Sequence, residues 1–488
     1  MKVQETLEDR GNGIKIMRVE GISTPLYYVP QTTLSKEENE FKEKLKAAVK
    51  NKMLRDIEDI EMLSERRAII DRELGELLEK HHKFSNEKRK IIRQKVIDET
   101  VGYGPVDVLL GDENLEEIMV SGSKLPVFVV HRDYGTCVTN IRFGSDKELM
   151  DLIQNIATLL GKEITFKNPM LDARLSENMR INIVIPPVSL DGPSMTIRQF
   201  RTAPMTIVDL LRNKTMTTDL AAFLWVCVDG MCIKPANILI VGGSASGKTT
   251  TLNAMITFVP EEERMVTVED TEELRPIHQN RSRMETFSMG VREGGGIDME
   301  MLIKNAFRMR PDRIVVGEMR GHEAMSLFVA MNSGHDGCMG TIHANSVDDA
   351  ITRLTNPPMD VPKPLIIGLD LIILQRRVFG GEHGIMRKIT EVSEVIKRGD
   401  EVVLNRIFEW DVERSKIEFK KSESIIYSRF ASTLNSMGID INDILEKRKG
   451  ILEDLVERDA GPDEILGAIK GHTANLETLL KSRDNENG

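Results

Sequence analysis

Residues Gly242, Gly243, Ser244, Ala245, Ser246, Gly247, Lys248 and Thr249 match the glycine-rich pattern that cradles phosphates, directly after the strand-like run Ile238-Leu239-Ile240-Val241. Glycines let successive backbone N–H groups turn inward around an anion, and a helix starting near Lys248 aims the positive end of its dipole at the same point. Lys248 would neutralise charge on the outer phosphates of ATP, and the Thr249 hydroxyl would reach a Mg2+ bridging them. Thr250 completes the expected cofactor-binding set.

Cleavage of a bound triphosphate needs an acid near the metal and a group that handles water. Arg313-Ile314-Val315-Val316-Gly317-Glu318 is an apolar strand running into an acid, which makes Glu318 a candidate beside Mg2+ rather than a solvated strand end. Met265-Val266-Thr267-Val268-Glu269-Asp270 is a second such strand. Glu269 could orient or deprotonate the attacking water, and Asp270 could fix the local turn or hold a metal-bound water, although Glu272 and Glu273 make this loop acidic in any case. Residue chemistry alone does not rank the two glutamates. A third segment, Gly334 to Asn345, places His335 and His343 at strand ends expected near the γ-phosphate, where imidazole could sense it. Histidines in such glycine-rich surroundings are more often structural, and a metal site there would need ligands the sequence does not offer.

A parallel α/β domain must position these groups. From Asn237 to about Gln375, strands alternate with helical segments. Upstream, apolar residues at Phe41, Leu45, Val49, Met53, Ile57 and Ile60 recur at helical spacing, and a second helix carries Ile91, Ile92, Val96 and Ile97. Short β-rich runs around a helix at Lys147 to Leu160 predict a small α+β domain. The expected organisation is an extended and helical region at 1–101, the α+β domain at 102–201, a connector at 202–217, the catalytic domain with a β meander at 218–422, and a helical tail at 423–488.

The chain of 488 residues is 40% hydrophobic and 29% charged, in the range of a folded multidomain protein. Its net charge of -11 argues against nonspecific nucleic-acid binding. Cys137, Cys227, Cys232 and Cys338 form no Cys-x-x-Cys pair, so buried free thiols are expected rather than disulfides or zinc. No apolar run approaches the ~20 residues that span a bilayer and no signal-peptide core opens the chain, so a cytoplasmic location with any membrane link through a partner is expected.

Taken in order, the four segments resemble the Walker A loop, Asp box, atypical Walker B and His box of the secretion ATPase superfamily, the motors of type II and type IV secretion, type IV pili and archaella. The resemblance extends through Gly102-Tyr103-Gly104-Pro105 and Thr196-Ile197-Arg198-Gln199-Phe200, covering roughly residues 102 to 405. It implies a RecA-like catalytic domain, Glu269 as general base, Glu318 as partner of the metal-bound water, His343 at the γ-phosphate, and Arg174, Arg180, Arg198 and Arg201 reaching nucleotide across an interdomain cleft. It further implies a homo-oligomeric ring, usually hexameric, docked on a polytopic membrane platform protein. The lack of a four-cysteine insertion, together with the helical tail, is more similar to archaeal pilus or archaellum motors.

Overall fold

The computed structural model describes residues 3–10, 13–30, 34–56, 63–79, 84–100, 102–176, 178–200, 204–287, 296–379, 385–399, 401–411 and 416–487. Backbone contacts divide the chain into Met1–Thr202 and Ala203–Gly488.

In the first unit, β1 (Val3–Asp9), β2 (Lys15–Val19) and β3 (Leu26–Tyr28) precede three helices, α1 (Lys36–Asp56), α2 (Leu63–Glu79) and α3 (Asn86–Thr100). A short α4 (Asp107–Leu110) leads to β4 (Leu115–Ser121), β5 (Phe128–His131), β6 (Gly135–Thr139), α5 (Asp146–Leu159), β7 (Met170–Ser176), β8 (Met179–Val184) and β9 (Ser194–Gln199). All nine strands form one sheet in the order β1-β2-β3-β6-β5-β4-β9-β8-β7. The expected boundary at 101/102 therefore cuts across this sheet. β3 joins it through a parallel pair that sets Leu26 opposite Val138. Buried polar contacts fasten the same strands: the Tyr27 hydroxyl donates to Asp112 Oδ2 at 2.6 Å, and Arg10 Nη1 lies 2.5 Å from that oxygen. The helices α1 to α3 pack around their own core of Leu45, Val49, Ile70, Leu74, Ile92 and Val96. Ile57 and Ile60 of the expected helical stripe lie outside the described residues.

The second unit opens with α6 (Ile207–Arg212) and α7 (Thr218–Asp229), then alternates through β10 (Ile238–Gly242), α8 (Lys248–Met255), β11 (Met265–Glu269), β12 (Arg281–Glu285), α9 (Met299–Ala306) and β13 (Arg313–Met319). It continues with α10 (Glu323–Asn332), β14 (Met339–His343), α11 (Val347–Thr355), α12 (Lys363–Ile366) and β15 (Leu371–Phe379). The strands β16 (Ile385–Arg398), β17 (Glu401–Asp411) and β18 (Lys416–Phe419) follow, then α13 (Ile425–Ser436), α14 (Ile441–Glu457) and α15 (Pro462–Asn487). The sheet order is β12-β11-β13-β14-β10-β15-β16-β17-β18. Strands β12 to β15 pair in parallel and β15 to β18 antiparallel. A parallel sheet in which the phosphate-loop strand lies between β14 and β15 is RecA-like.

The continuous apolar run of β10 follows from burial on both faces. Ile238 and Ile240 pack with Phe223 and Trp225 on one face, and Leu239 and Val241 with Val268, Val316 and Ile342 on the other. Each such side chain contributes about 1.5–3 kcal/mol. The expected connector is also partly core: Thr206 and Asp209 form a reciprocal capping box, and α6 buries Ile207, Val208, Leu210 and Leu211. The helical tail is fastened to α7 by the buried Arg448, whose Nη2 lies 2.5 Å from Asp229 Oδ2 and whose guanidinium sits 4.7 Å from the Trp225 ring. His472 accepts from Arg448 Nε at 3.2 Å. Burial and the Arg448 charge push His472 down to about 4, which keeps it a neutral acceptor. Among the described residues, no helix is long and apolar enough to cross a membrane.

Candidate functional site

Parallel pairing brings the carboxyl ends of β10, β11, β13 and β14 to one edge of the sheet, where α/β folds place their ligand chemistry. The phosphate loop leaves β10 there. Gly247 caps α8 with φ +94°, and Ala245 also adopts a left-handed backbone at φ +55°. Gly242 has no room for a side chain, since a Cβ would lie 2.3 Å from Gln375 O and 2.5 Å from Ser246 Oγ. Ser246 Oγ is buried without a hydrogen-bond partner among the described residues, an unmet polar group that a phosphate oxygen would satisfy.

Lys248 Nζ donates to Gly243 O at 3.2 Å and lies 3.6 Å from Glu318 Oε1. Burial pulls the Lys248 ammonium below its ordinary pKa, with the Glu318 charge opposing. Burial also works to raise the Glu318 carboxyl, but Arg320 donates to Oε2 at 2.7 and 3.2 Å. Together with the Lys248 charge these bonds prevail and hold Glu318 below the usual carboxylate value.

Glu269 has the opposite environment. It is 2% exposed, and burial pushes its carboxyl up to about 8, even though the amides of Glu273 and Leu274 both donate to Oε1 at 3.0 Å. Two glutamates on adjacent strands therefore differ in kind: Glu318 is a stable anion beside a cation, and Glu269 is poised to exchange a proton near neutral pH. Gly317 makes room for Glu269, because a Cβ there would lie 2.9 Å from its Cγ and 3.0 Å from Oε1. The Gly317 carbonyl is in turn fixed by the Thr341 hydroxyl at 2.6 Å. Gly317→Ala is expected to displace the Glu269 carboxylate, cutting kcat by more than about tenfold with nucleotide affinity nearly unchanged. Steady-state kinetics checks this, and a full kcat would contradict it.

His343 ends β14 opposite Gly242 in the ladder, next to the phosphate loop. His335 does not join it. It precedes β14, at the edge marked by the Lys234–Asp336 ion pair of 3.0 Å, and its ring packs 5.5 Å from Phe307. A five-residue strand at ~3.3 Å per residue separates the two imidazoles. Asp270 serves its turn, accepting from Thr286 Oγ1 at 3.0 Å.

In the first unit, Arg174, Arg180 and Arg198 are direct neighbours across β7, β8 and β9, and so share one face of the sheet. Arg180 makes a two-pronged pair with Asp172 at 2.7 and 2.8 Å, and Arg198 lies 5.6 Å from the Phe200 ring. Arg201 is outside the described residues.

Sequence reasoning missed Gln375 and Arg387. Gln375 ends the apolar run of β15 and is 1% exposed, with its Nε2 3.0 Å from where a Gly247 Cβ would stand. Arg387 Nε, on β16, donates to Ala245 O at 3.0 Å. The one available signal was a polar residue closing a buried strand beside β10, the same signal that marked Glu318.

A family described as "Type II/IV secretion system protein" matches residues 99–380, more than half of the chain. An uncharacterized protein of Methanocaldococcus jannaschii is 46% identical over 239 residues, which cover 48% of this chain and 33% of the relative. The chain thus spans about a third of that relative's length. The type IV secretion system protein VirB11 of Bartonella quintana is 30% identical over 364 residues, covering 64% of this chain and 95% of the relative. Among solved structures, the VirB11 ATPase of the Brucella suis type IV secretion system, in complex with sulphate, is 25% identical and covers 59% of this chain and 91% of that one, with a TM-score of 0.30.

Proposed function

The chain belongs to the type II/IV secretion system protein family, and from that premise we propose that it is a Mg2+-dependent ATPase driving assembly of a type IV pilus-like or archaellum filament. It would do so as a homo-oligomeric ring, six subunits by analogy with the family, through a polytopic membrane platform protein. The observation that carries the reading is the pairing of Lys248 with Glu318 at the mouth of the phosphate loop, next to a buried Glu269 of raised pKa.

Gly242 to Thr250 bind the triphosphate through backbone amides and the Ser246, Thr249 and Thr250 hydroxyls, and Lys248 neutralises its outer phosphates. Among the described residues there is no cluster of three or more His, Cys, Asp or Glu that could hold a metal by itself. A Mg2+ ion would instead be held by the Thr249 hydroxyl and by Glu318, whose carboxyl stays below its usual value beside Lys248. Such an ion would supply positive charge to the outer phosphates. Glu269 takes a proton from the attacking water as the bond between the γ-phosphorus and its bridging oxygen breaks, leaving ADP and phosphate. His343 reports the γ-phosphate, and the Arg174–Arg180–Arg198 row is the proposed source of positive charge for the shifting phosphate, in the same or a neighbouring subunit.

A second reading, a DNA-translocating or conjugative-type ATPase, draws on the similarity to type IV secretion proteins. The net charge of -11 weighs against it. Phosphate release by the purified chain is expected to rise with vesicles carrying the platform protein and to ignore double-stranded DNA. Stimulation by DNA alone would reverse the choice.

A further inference from the structure

The phosphate loop is flanked on its outer side by residues that belong to none of its motifs. The carboxyl end of β15 and the paired stretch of β16 press against it: Gln375 O approaches the Gly242 Cα so closely that no side chain fits between them, and Gln375 Nε2 and Arg387 Cδ would lie 3.0 and 3.2 Å from a Gly247 Cβ. From the same hairpin, Arg387 Nε donates to the carbonyl of Ala245 at 3.0 Å. Ala245 is the one non-glycine residue of residues 242–249 in the left-handed region, at φ +55°. Such a conformation is strained in a residue with a side chain and persists only when its surroundings hold it.

Alternating right- and left-handed residues turn successive N–H groups into an anion-binding concavity, and they do so only if the intervening carbonyls face away from the anion. We propose that Arg387 is a positioning residue of the phosphate loop: its guanidinium draws the Ala245 carbonyl outward, so that the amides after it are already aimed at a phosphate before nucleotide arrives. The inference rests on the phosphate-loop reading above and deepens it. A cation is suited to the task because a charge-assisted hydrogen bond to a carbonyl is stronger than a neutral one. Gln375, itself buried, packs behind the same turn.

Preorganisation of a binding loop favours the ground and transition states alike, so its loss appears in KM rather than kcat. Arg387 is exposed, and its replacement leaves the core intact. In the full chain with Mg2+, Arg387→Ala is expected to weaken binding of ADP and of a non-hydrolysable ATP analogue roughly tenfold, and to raise KM for ATP by a similar factor with kcat within about twofold. Arg387→Lys, which keeps a cation able to reach the carbonyl, recovers most of the affinity. The thermal midpoint of both variants stays at the wild-type value. Unchanged affinity in Arg387→Ala overturns the proposal, as does a fall in kcat at constant KM, which would place the guanidinium on the reacting phosphate. Failure of the phosphate-loop reading is distinguishable, because the wild-type chain would then take up neither nucleotide.

Discussion

Lys248→Ala is expected to lower ATP turnover by on the order of 10³-fold, with the chain still folded. The side chain is 8% exposed, donates to Gly243 O at 3.2 Å, and is the cation 3.6 Å from Glu318. On the proposed reading, removing it takes a positive charge away from the outer phosphates, and it removes from Glu318 one of the two partners that hold its carboxyl ionised. A clamp of this kind grows in value as charge moves in the transition state, so kcat should fall as well as affinity. Phosphate release measured over the full range of ATP concentration checks this. Wild-type activity in the variant would contradict the assignment of the loop.

Glu269→Gln should lower kcat by about 10²–10⁴-fold while nucleotide binding stays near the wild-type level. The amide is the same size and can still accept from the Glu273 and Leu274 amides, which hold the side chain by Oε1 at 3.0 Å each, but it cannot take a proton from water. The wild-type pH profile carries the same signature. Burial raises the Glu269 carboxyl to about 8, so the basic form is the minor one at neutral pH, and kcat/KM should climb through the neutral range and level above about 8. The linked stability runs the other way. A carboxyl whose folded value is raised adds stability that is fully present below its unfolded value and is lost as pH rises through about 8. The Gln variant has no such group, so its stability should change less as pH rises from about 4.5 to about 8. A flat kcat/KM profile in the wild type, or a Gln variant that keeps its rate, would remove Glu269 from the role of base.

Much of the catalytic unit could be read from the chain because its signals are local. An unbroken apolar run at Ile238–Val241 before a glycine-rich turn has one economical solution, a buried parallel strand feeding a helix, and the strands at Met265 and Arg313 end in acids for the same topological reason. What stayed hidden depends on distant pairing. Leu26 opposite Val138 places the first strands in a sheet whose other members lie a hundred residues on, and nothing near Leu26 announces it. Gln375 and Arg387 reach the phosphate loop only because β15 pairs with β10 and β16 returns alongside it. The helix inside the expected connector was legible in principle, since Thr206 and Asp209 with four apolar residues between Ile207 and Leu211 spell a capped, buried turn. His335 lies near His343 in sequence but not in space, because an intervening strand carries it to the other edge of the sheet.

The central claim is that the amides and side chains from Gly242 to Thr249 grip a nucleoside triphosphate. Calorimetric titration of the folded wild-type chain with a non-hydrolysable ATP analogue and Mg2+ tests it most directly. One site per chain is expected, with heat that disappears in Lys248→Ala. A flat titration of the wild-type chain, or an isotherm unaltered by that substitution, would contradict the account.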